Sequence, residues 1–136
     1  MLAGAEEMKL MEEAVKARKR SYCPYSNFAV GAALLCEDGT VVLGCNVESG
    51  SFSPSNCAER TAIFAAVAQG KRKFRALAVA GGNQGEAPGP CYPCGVCRQV
   101  MAEFCSNDFK VICKNEEGQV EILTLGELLP RHFSLL

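Results

Sequence analysis

The sequence predicts an α/β fold, in the form of a three-layer α/β/α sandwich around a mixed five-stranded sheet. The main observation is the order of the patterns, which is helix, hairpin, helix, strand, helix, strand, strand, helix. Helices that alternate with strands in this way cover both faces of a sheet. The chain has 136 residues, 49% of them apolar, which suits one domain over residues 1–136. We expect parallel neighbours across the two middle helices.

The first predicted helix covers residues 6–20. Its apolar residues recur at spacings of three or four, with acidic residues early and basic residues late, as the helix dipole favours. Two short apolar runs follow, at residues 29–36 and 41–45, and the Asp-Gly sequence between them is typical of a tight turn. These runs predict two antiparallel strands.

The second predicted helix covers residues 57–69, which are rich in alanine, and Gly70 ends it. A short strand of buried type is predicted at residues 76–80. Residues 81–93, rich in glycine and proline, are expected to form a loop, and helical spacing returns at residues 94–104.

The last predicted elements are two strands and a short helix. Residues 110–114 and 120–123 are strand-like runs around a turn that contains Gly118. Residues 124–127, Thr-Leu-Gly-Glu, have the pattern of a capping box and predict a short final helix.

The overall composition argues against several partners. The formal net charge is −1 and the pI is near 5.9, so the chain lacks the basic field that attracts a nucleic acid polymer. No run of about 18 consecutive apolar residues occurs, and charges are spread over residues 1–20, so we expect neither a membrane partner nor a secretory signal. Nine cysteines are an odd number and suit reduced thiols, which favours a cytoplasmic protein.

Three cysteines and one glutamate are the most informative motif. Cys57 and Glu59 lie in Cys-Ala-Glu-Arg at the start of the second predicted helix, and Cys94 and Cys97 lie in Pro-Cys-Gly-Val-Cys-Arg at the start of the third. A helix N-terminus favours the thiolate form, and a spacing of three places two sulfurs on one helix face. A catalytic zinc site uses three protein ligands and keeps its fourth position open to water. The residues therefore suit one zinc ion, with Glu59 as a proton carrier.

Three thiolates on a dication leave a net charge of about −1, which a nearby cation should offset. Arg60 follows Glu59 directly and is the nearest candidate. Its guanidinium can donate hydrogen bonds to the ligand sulfurs and withdraw charge from the metal.

Two other interpretations of the cysteines stay open at this point. A structural zinc site usually has four ligands, and Cys91 could supply the fourth in an interaction protein without turnover. Cys91, Cys94 and Cys97 also have the spacing of iron–sulfur ligands, although Met101 stands where the bacterial pattern has its next cysteine. The remaining cysteines are expected to be small core residues.

The chain resembles the small, single-domain cytidine deaminases over nearly its whole length. That family has Cys-Ala-Glu followed by Pro-Cys-x-x-Cys, which this chain carries from Cys57 and from Pro93. The similarity continues through residues 22–26, 28–35, 44–48, 56–62, 94–100 and 127–130. The resemblance implies a zinc-dependent hydrolase that converts cytidine and 2′-deoxycytidine to uridine and 2′-deoxyuridine, releases ammonia and serves pyrimidine salvage.

The resemblance also implies the chemical roles of the motif. One zinc per subunit would be held by Cys57, Cys94 and Cys97. Glu59 would move protons between the attacking water, the pyrimidine ring and the departing ammonia.

The nucleoside pocket implied by the resemblance includes four further residues. Phe28 would pack on the base, Asn46 and Glu48 would hydrogen-bond the ribose 3′-hydroxyl, and Ala58 would contact the substrate. Without the resemblance, Phe28 would be interpreted as a core residue and the two polar residues as a strand end.

Small members of the family are homotetramers with active sites between subunits. Phe133 occupies the place of a C-terminal aromatic residue that enters a neighbour's site, whereas the sequence alone equally suits a tail residue that covers its own core. Ser-Gly-Ser-Phe at residues 49–52 and the pair at residues 91–92 depart from the usual family pattern. A deaminase of another aminopyrimidine nucleoside, such as blasticidin S, is the competing enzyme hypothesis.

Overall fold

A computed structural model describes the whole chain, Met1–Leu136. The elements follow one another in the predicted order. They are α1 (Ala5–Ala17) with a 3₁₀ turn (Arg18–Arg20), β1 (Phe28–Cys36), β2 (Val41–Cys45), α2 (Ala58–Ala68), β3 (Phe74–Asn83), α3 (Gly95–Phe104), β4 (Lys110–Lys114), β5 (Val120–Thr124) and α4 (Leu125–Leu128). None of the helices has the length and apolar character that a membrane span requires.

The five strands form one mixed sheet in the order β2-β1-β3-β4-β5. β1 runs antiparallel to both β2 and β3, β3 runs parallel to β4, and β4 runs antiparallel to β5. This arrangement confirms the predicted mixed five-stranded sheet.

One expectation about this sheet was wrong. β3 and β4, joined through α3, are parallel neighbours, but β2 and β3, joined through α2, are separated by β1. The burial of the strands explains this order. β1 is buried along most of its nine residues, as a central strand is, whereas β2 alternates between buried and exposed positions, as an edge strand does.

Helices cover both faces of the sheet, which confirms the three layers. α1 packs on one face, where Leu10 and Met11 meet Ala33, Ala78 and Ile112. On the other face, α2, α3 and α4 enclose the larger core, which includes Leu34, Ile63, Leu77, Val79, Met101, Val111 and Leu125. Neighbouring strand residues such as Ala33 and Leu34 belong to opposite faces, as the pleat of a strand requires.

Two boundaries differ from the prediction because of distant contacts. β3 continues through Gly81 and Gly82, which pair with β1 although glycines favour a loop in the sequence. The first helix ends as α-helix at Ala17, and the guanidinium of Arg18 is buried behind it, with 8% of the residue exposed. Arg18 donates hydrogen bonds to the carbonyl oxygens of Ala29 at 2.9 Å, Glu86 at 3.1 Å and Asn83 at 3.2 Å. It therefore connects the end of the first helix to β1, to the last residue of β3 and to the segment that follows β3.

Gly44 sets the distance between β2 and α2. A Cβ atom at this position would lie 2.4 Å from the carbonyl oxygen of Ala58 and 2.5 Å from the backbone nitrogen of Ala62. Because both atoms belong to the helix backbone, α2 can rest this close to β2 only where the strand has a glycine.

We expect Gly44→Ala to lower the free energy of unfolding by about 1–3 kcal/mol, because the helix backbone must move away from the strand. Urea unfolding followed by circular dichroism measures the change. Gly89→Ala is the matched control, since a Cβ atom there meets no heavy atom within 4 Å. Equal losses in the two variants would contradict the close packing of β2 and α2.

Candidate active site

The N-termini of two helices meet beside the sheet. Cys57 caps α2 and Cys94 caps α3, both with extended backbone, and their carbonyl oxygens accept the first helical hydrogen bonds, from Thr61 and Arg98 at 3.0 Å each. The two sulfurs lie 3.8 Å apart. Both therefore lie at the positive ends of helix dipoles, where negative charge is stabilised.

Cys97 completes a cluster of three sulfurs that all lie within 4.8 Å of one another. Cys94 is exposed, Cys57 is partly buried and Cys97 is fully buried. Zinc–sulfur bonds of about 2.3 Å in a tetrahedral arrangement separate two ligand sulfurs by about 3.8 Å. The donor set and the distance between Cys57 and Cys94 therefore fit zinc with three protein ligands.

Cys91 is not part of this cluster. Its side chain lines the neighbouring cavity, and burial raises the pKa of its thiol to about 12. The geometry thus provides no fourth cysteine ligand, which the structural-zinc and iron–sulfur interpretations both need.

The protein groups around the sulfurs concentrate negative charge on Cys57. Its hydrogen bond with Cys97 lowers the pKa of the Cys57 thiol to about 5, and contacts with Arg60 and Cys94 act in the same direction. The same pairing with Cys57, together with burial, raises the pKa of Cys97. Arg60 donates from Nη2 to the Cys57 sulfur at 3.1 Å. The guanidinium therefore contacts one of the three sulfurs, and its role at a metal site stays a prediction.

Glu59 lies in the first turn of α2, next to this cluster. Only 3% of the residue is exposed, and burial raises the pKa of its carboxyl to about 7, with the negative charge of Cys57 acting in the same direction. A carboxyl group in this environment can hold a proton near neutral pH and can also release it.

A cavity of about 340 Å³ opens onto the sulfur cluster. This volume is in the range of small-molecule sites. Its lining brings together most of the residues that the sequence analysis assigned to substrate and metal: Phe28, Asn46, Glu48, Cys57, Ala58, Glu59, Arg60 and Cys94. Cys97 is not in this lining. Of the two segments that differ from the usual family pattern, Cys91 and Tyr92 line the cavity and residues 49–52 do not.

Gly81 allows two side chains to meet at the cavity wall. A Cβ atom there would lie 2.7 Å from the Cys91 sulfur and 3.0 Å from the Phe28 ring. The sequence does not indicate Gly81 as a site residue, because a glycine at the start of a glycine-rich segment is typical of a loop. Only the pairing of Gly81 with Val30 of β1 brings it to the site.

Asn46 and Glu48 are hydrogen-bonded to the backbone around Phe28. Asn46 accepts from the Val30 N–H at 2.9 Å and donates to the Phe28 carbonyl at 2.8 Å. One oxygen of Glu48 accepts from the N–H groups of Tyr25 at 3.0 Å and Ser26 at 3.1 Å. Both polar side chains therefore have a structural role as well as a place in the cavity.

Phe133 lies apart from the other site residues of its own chain. It is 66% exposed and borders a separate apolar groove with Phe64, Val96 and Val100, and its carbonyl accepts a hydrogen bond from Gln99 at 3.2 Å. The ring does not cover its own core, which was the competing interpretation. Its predicted contact with substrate needs a second subunit.

Comparison with known proteins identifies the family. Residues 5–113 match the model of the cytidine and deoxycytidylate deaminase zinc-binding region. The chain belongs to this family. The predicted resemblance and the predicted zinc cofactor are thereby confirmed, while the roles of individual residues stay predictions.

Relatives of similar length are named cytidine deaminase. The chain is 52% identical over 126 residues to the cytidine deaminase of Sporosarcina psychrophila, covering 93% of this chain and 90% of that protein. It is 46% identical over 129 residues to the cytidine deaminase of Halalkalibacterium halodurans, with 95% of each chain covered.

Solved structures support the same assignment. The crystal structure of cytidine deaminase from Burkholderia pseudomallei is 48% identical with a TM-score of 0.83, over 93% of this chain and 98% of that chain. The cytidine deaminase from Mycobacterium tuberculosis is 36% identical with a TM-score of 0.82, over 97% of this chain and 100% of that chain.

We expect Arg60→Ala to weaken zinc binding by about 10- to 100-fold, because the Cys57 sulfur loses a charged hydrogen-bond donor. Competition with a chromophoric chelator measures the affinity. Arg72→Ala is the control. Arg72 is exposed beyond the far end of α2 and does not contact a sulfur, so its substitution removes the same charge without changing the metal site. Equal zinc affinities in the two variants would show that Arg60 does not support the metal site.

Proposed function

We propose that this chain catalyses the hydrolytic deamination of cytidine and 2′-deoxycytidine, with uridine or 2′-deoxyuridine and ammonia as products. The observation that carries the proposal is the position of the buried Glu59 carboxyl beside the three-cysteine cluster, in one cavity with Phe28, Asn46 and Glu48. The relatives named cytidine deaminase, at up to 52% identity, support the same substrate class.

Zinc bound by Cys57, Cys94 and Cys97 would supply Lewis-acid activation of the water that replaces the amine. Glu59 would take one proton from this water on its carboxylate oxygen and deliver it to the ring nitrogen. It would then take the second proton from the hydroxyl added to the ring carbon and pass it to the amine, which leaves as ammonia when the C–N bond breaks. Burial of its carboxyl keeps bulk water from competing for the proton.

Phe28 and Ala58 provide the surface for the base. The Phe28 ring lines the cavity and offers a flat apolar face, which suits stacking on a pyrimidine. Ala58 is fully buried and is the first residue of α2, so its N–H has no acceptor within the helix and is available to a polar edge of the base.

Asn46 and Glu48 have the hydrogen-bonding capacity to hold one sugar hydroxyl. An amide has two N–H donors and two acceptor positions, and Asn46 uses one of each on the β1 backbone. A carboxylate has about four acceptor positions, of which Glu48 uses three on residues 25 and 26. A hydroxyl that donates to Glu48 and accepts from Asn46 would use the fourth acceptor position of the carboxylate and the second N–H of the amide.

The proposed sugar contacts address only the 3′-hydroxyl, so the pocket has no assigned group that distinguishes ribose from deoxyribose. We therefore expect both cytidine and 2′-deoxycytidine to be deaminated. A protein that converts cytidine and leaves 2′-deoxycytidine untouched would refute these assignments. Steady-state rates on cytidine and 2′-deoxycytidine measure whether both are converted.

The ultraviolet spectrum of cytidine tests the reaction itself, because loss of the amine changes the absorbance of the pyrimidine. We expect the zinc-loaded protein to convert cytidine to uridine and Glu59→Gln to lose at least about 10³-fold in rate, since it cannot carry the proton. Zinc content is measured in both proteins. No conversion by fully metallated wild type would reject the proposed substrate, and full activity of Glu59→Gln would reject the role of the carboxyl.

We also propose a homotetramer in which Phe133 enters a neighbour's site. The exposed ring and the adjoining apolar groove along Phe64, Val96 and Val100 support an assembly, because contiguous apolar surface of this kind favours contact with another protein.

A deaminase of free nucleosides with reduced cysteines would serve pyrimidine salvage in the cytoplasm.

Light scattering coupled to gel filtration tests the assembly. We expect a mass of four times the 14.5 kDa chain, and we expect Phe133→Ala to raise the KM for cytidine while the zinc content stays unchanged. Leu2→Ala, which removes another exposed apolar terminal side chain, is the control. A monomer with full activity would contradict the shared site.

A further inference from the structure

The hydroxyl of Ser26 connects two residues of the proposed nucleoside pocket. Ser26 Oγ donates a hydrogen bond to Oε2 of Glu48 and accepts one from the N–H of Phe28 at 3.0 Å. A serine hydroxyl can do both at once, because it has one donor and two acceptor positions. One side chain thus joins the proposed sugar-binding carboxylate to the backbone of the proposed base-stacking ring.

Phe28 depends on side chains because it lies beyond the end of the neighbouring strand. The pairing of β1 with β2 begins at Gly31 and Cys45, so Phe28 has no backbone partner on that side. Asn46 continues the ladder by accepting from Val30 and donating to the Phe28 carbonyl at 2.8 Å. Ser26 supplies the remaining partner, for the Phe28 N–H.

The turn that carries Ser26 is held independently of its hydroxyl. The N–H of Asn27 donates to the carbonyl of Cys23 at 2.9 Å, and the carbonyl of Asn27 accepts from Gln84 at 2.8 Å. Asn27 has a φ of 59°, a left-handed conformation that asparagine tolerates better than most residues. Loss of the Ser26 hydroxyl therefore leaves this turn in place.

The hydroxyl also fixes the plane of the Glu48 carboxylate. Oε1 is held by the backbone N–H groups of Tyr25 and Ser26, and Oε2 is held by Ser26 Oγ. With both oxygens anchored, the free acceptor position on Oε2 has a set direction. Without the hydroxyl, the carboxylate can turn about its terminal bond and the direction is lost.

We propose that Ser26 is a positioning residue that orients the Glu48 carboxylate toward the sugar hydroxyl and holds the Phe28 ring against the base. This inference rests on the proposed function. Removal of the Ser26 hydroxyl should lower activity in two ways, by releasing the Glu48 carboxylate and by loosening the Phe28 ring. Both effects lower the activity on a nucleoside with a 3′-hydroxyl, whereas only the loosening of Phe28 lowers it on a nucleoside without one.

The test compares Ser26→Ala with wild type on 2′-deoxycytidine and on 2′,3′-dideoxycytidine, which differ only in the 3′-hydroxyl. We expect kcat/KM to fall about 10- to 100-fold on the first substrate, mainly through KM, and about threefold on the second. Ser26→Thr keeps a hydroxyl at the same exposed position and should restore most of the loss. Zinc content and the unfolding midpoint are measured for each variant.

Equal losses on the two substrates would overturn the proposal, because general loosening of the site does not distinguish them. A threonine variant as impaired as the alanine variant would also contradict it. Ser26→Cys, a weaker donor and acceptor, gives a second measure of the same step and should lie between wild type and Ser26→Ala. Wild type that leaves 2′-deoxycytidine unchanged would instead reject the proposed function.

Discussion

The convergence of two helix N-termini is the constraint on which the rest of this structure depends. Cys57 and Cys94 are separated by 36 residues of chain, yet their sulfurs lie 3.8 Å apart. Two positive helix ends and the Arg60 guanidinium would repel one another without negative charge between them. The thiolates provide this charge, and a dication then holds the thiolates together. Metal binding and the packing of α2 and α3 on one face of the sheet therefore support each other.

The two halves of the site are built in different ways. The residues proposed for the metal and proton chemistry lie on the first turns of helices, and close contacts such as that between Gly44 and α2 fix the positions of these helices. The proposed nucleoside contacts lie where β2 ends and β1 begins, and there side chains replace the missing backbone partners. Asn46 and Glu48 can bind a hydroxyl and hold the chain at the same time, because each has more hydrogen-bonding positions than the backbone uses.

The sequence indicated the parts of this site that depend on local spacing. A spacing of three placed Cys94 and Cys97 on one helix turn. Outside the site, Thr124 and Glu127 likewise predicted the capping box that the structure contains. Cys57 was grouped with this pair because it also starts a predicted helix and a catalytic zinc takes three protein ligands. No local pattern fixes the distance between two distant helix starts, so only the fold shows that the sulfurs meet. Arg18 and Gly81 could not be found in this way. Arg18 lies in a run of basic residues typical of an exposed helix end, and Gly81 lies in a segment typical of a loop. Only tertiary contacts reveal that Arg18 is buried and that Gly81 pairs with β1.

Cobalt substitution distinguishes an open metal site of three cysteines from a closed site of four. Cobalt(II) takes the place of zinc, and the intensity of its thiolate charge-transfer absorption follows the number of bound sulfurs. An open site of three cysteines predicts the same intensity and one metal per chain in wild type and in Cys91→Ser. A band that loses about a quarter of its intensity in Cys91→Ser, together with weaker metal binding, would show a closed site of four cysteines. That result would contradict the open site.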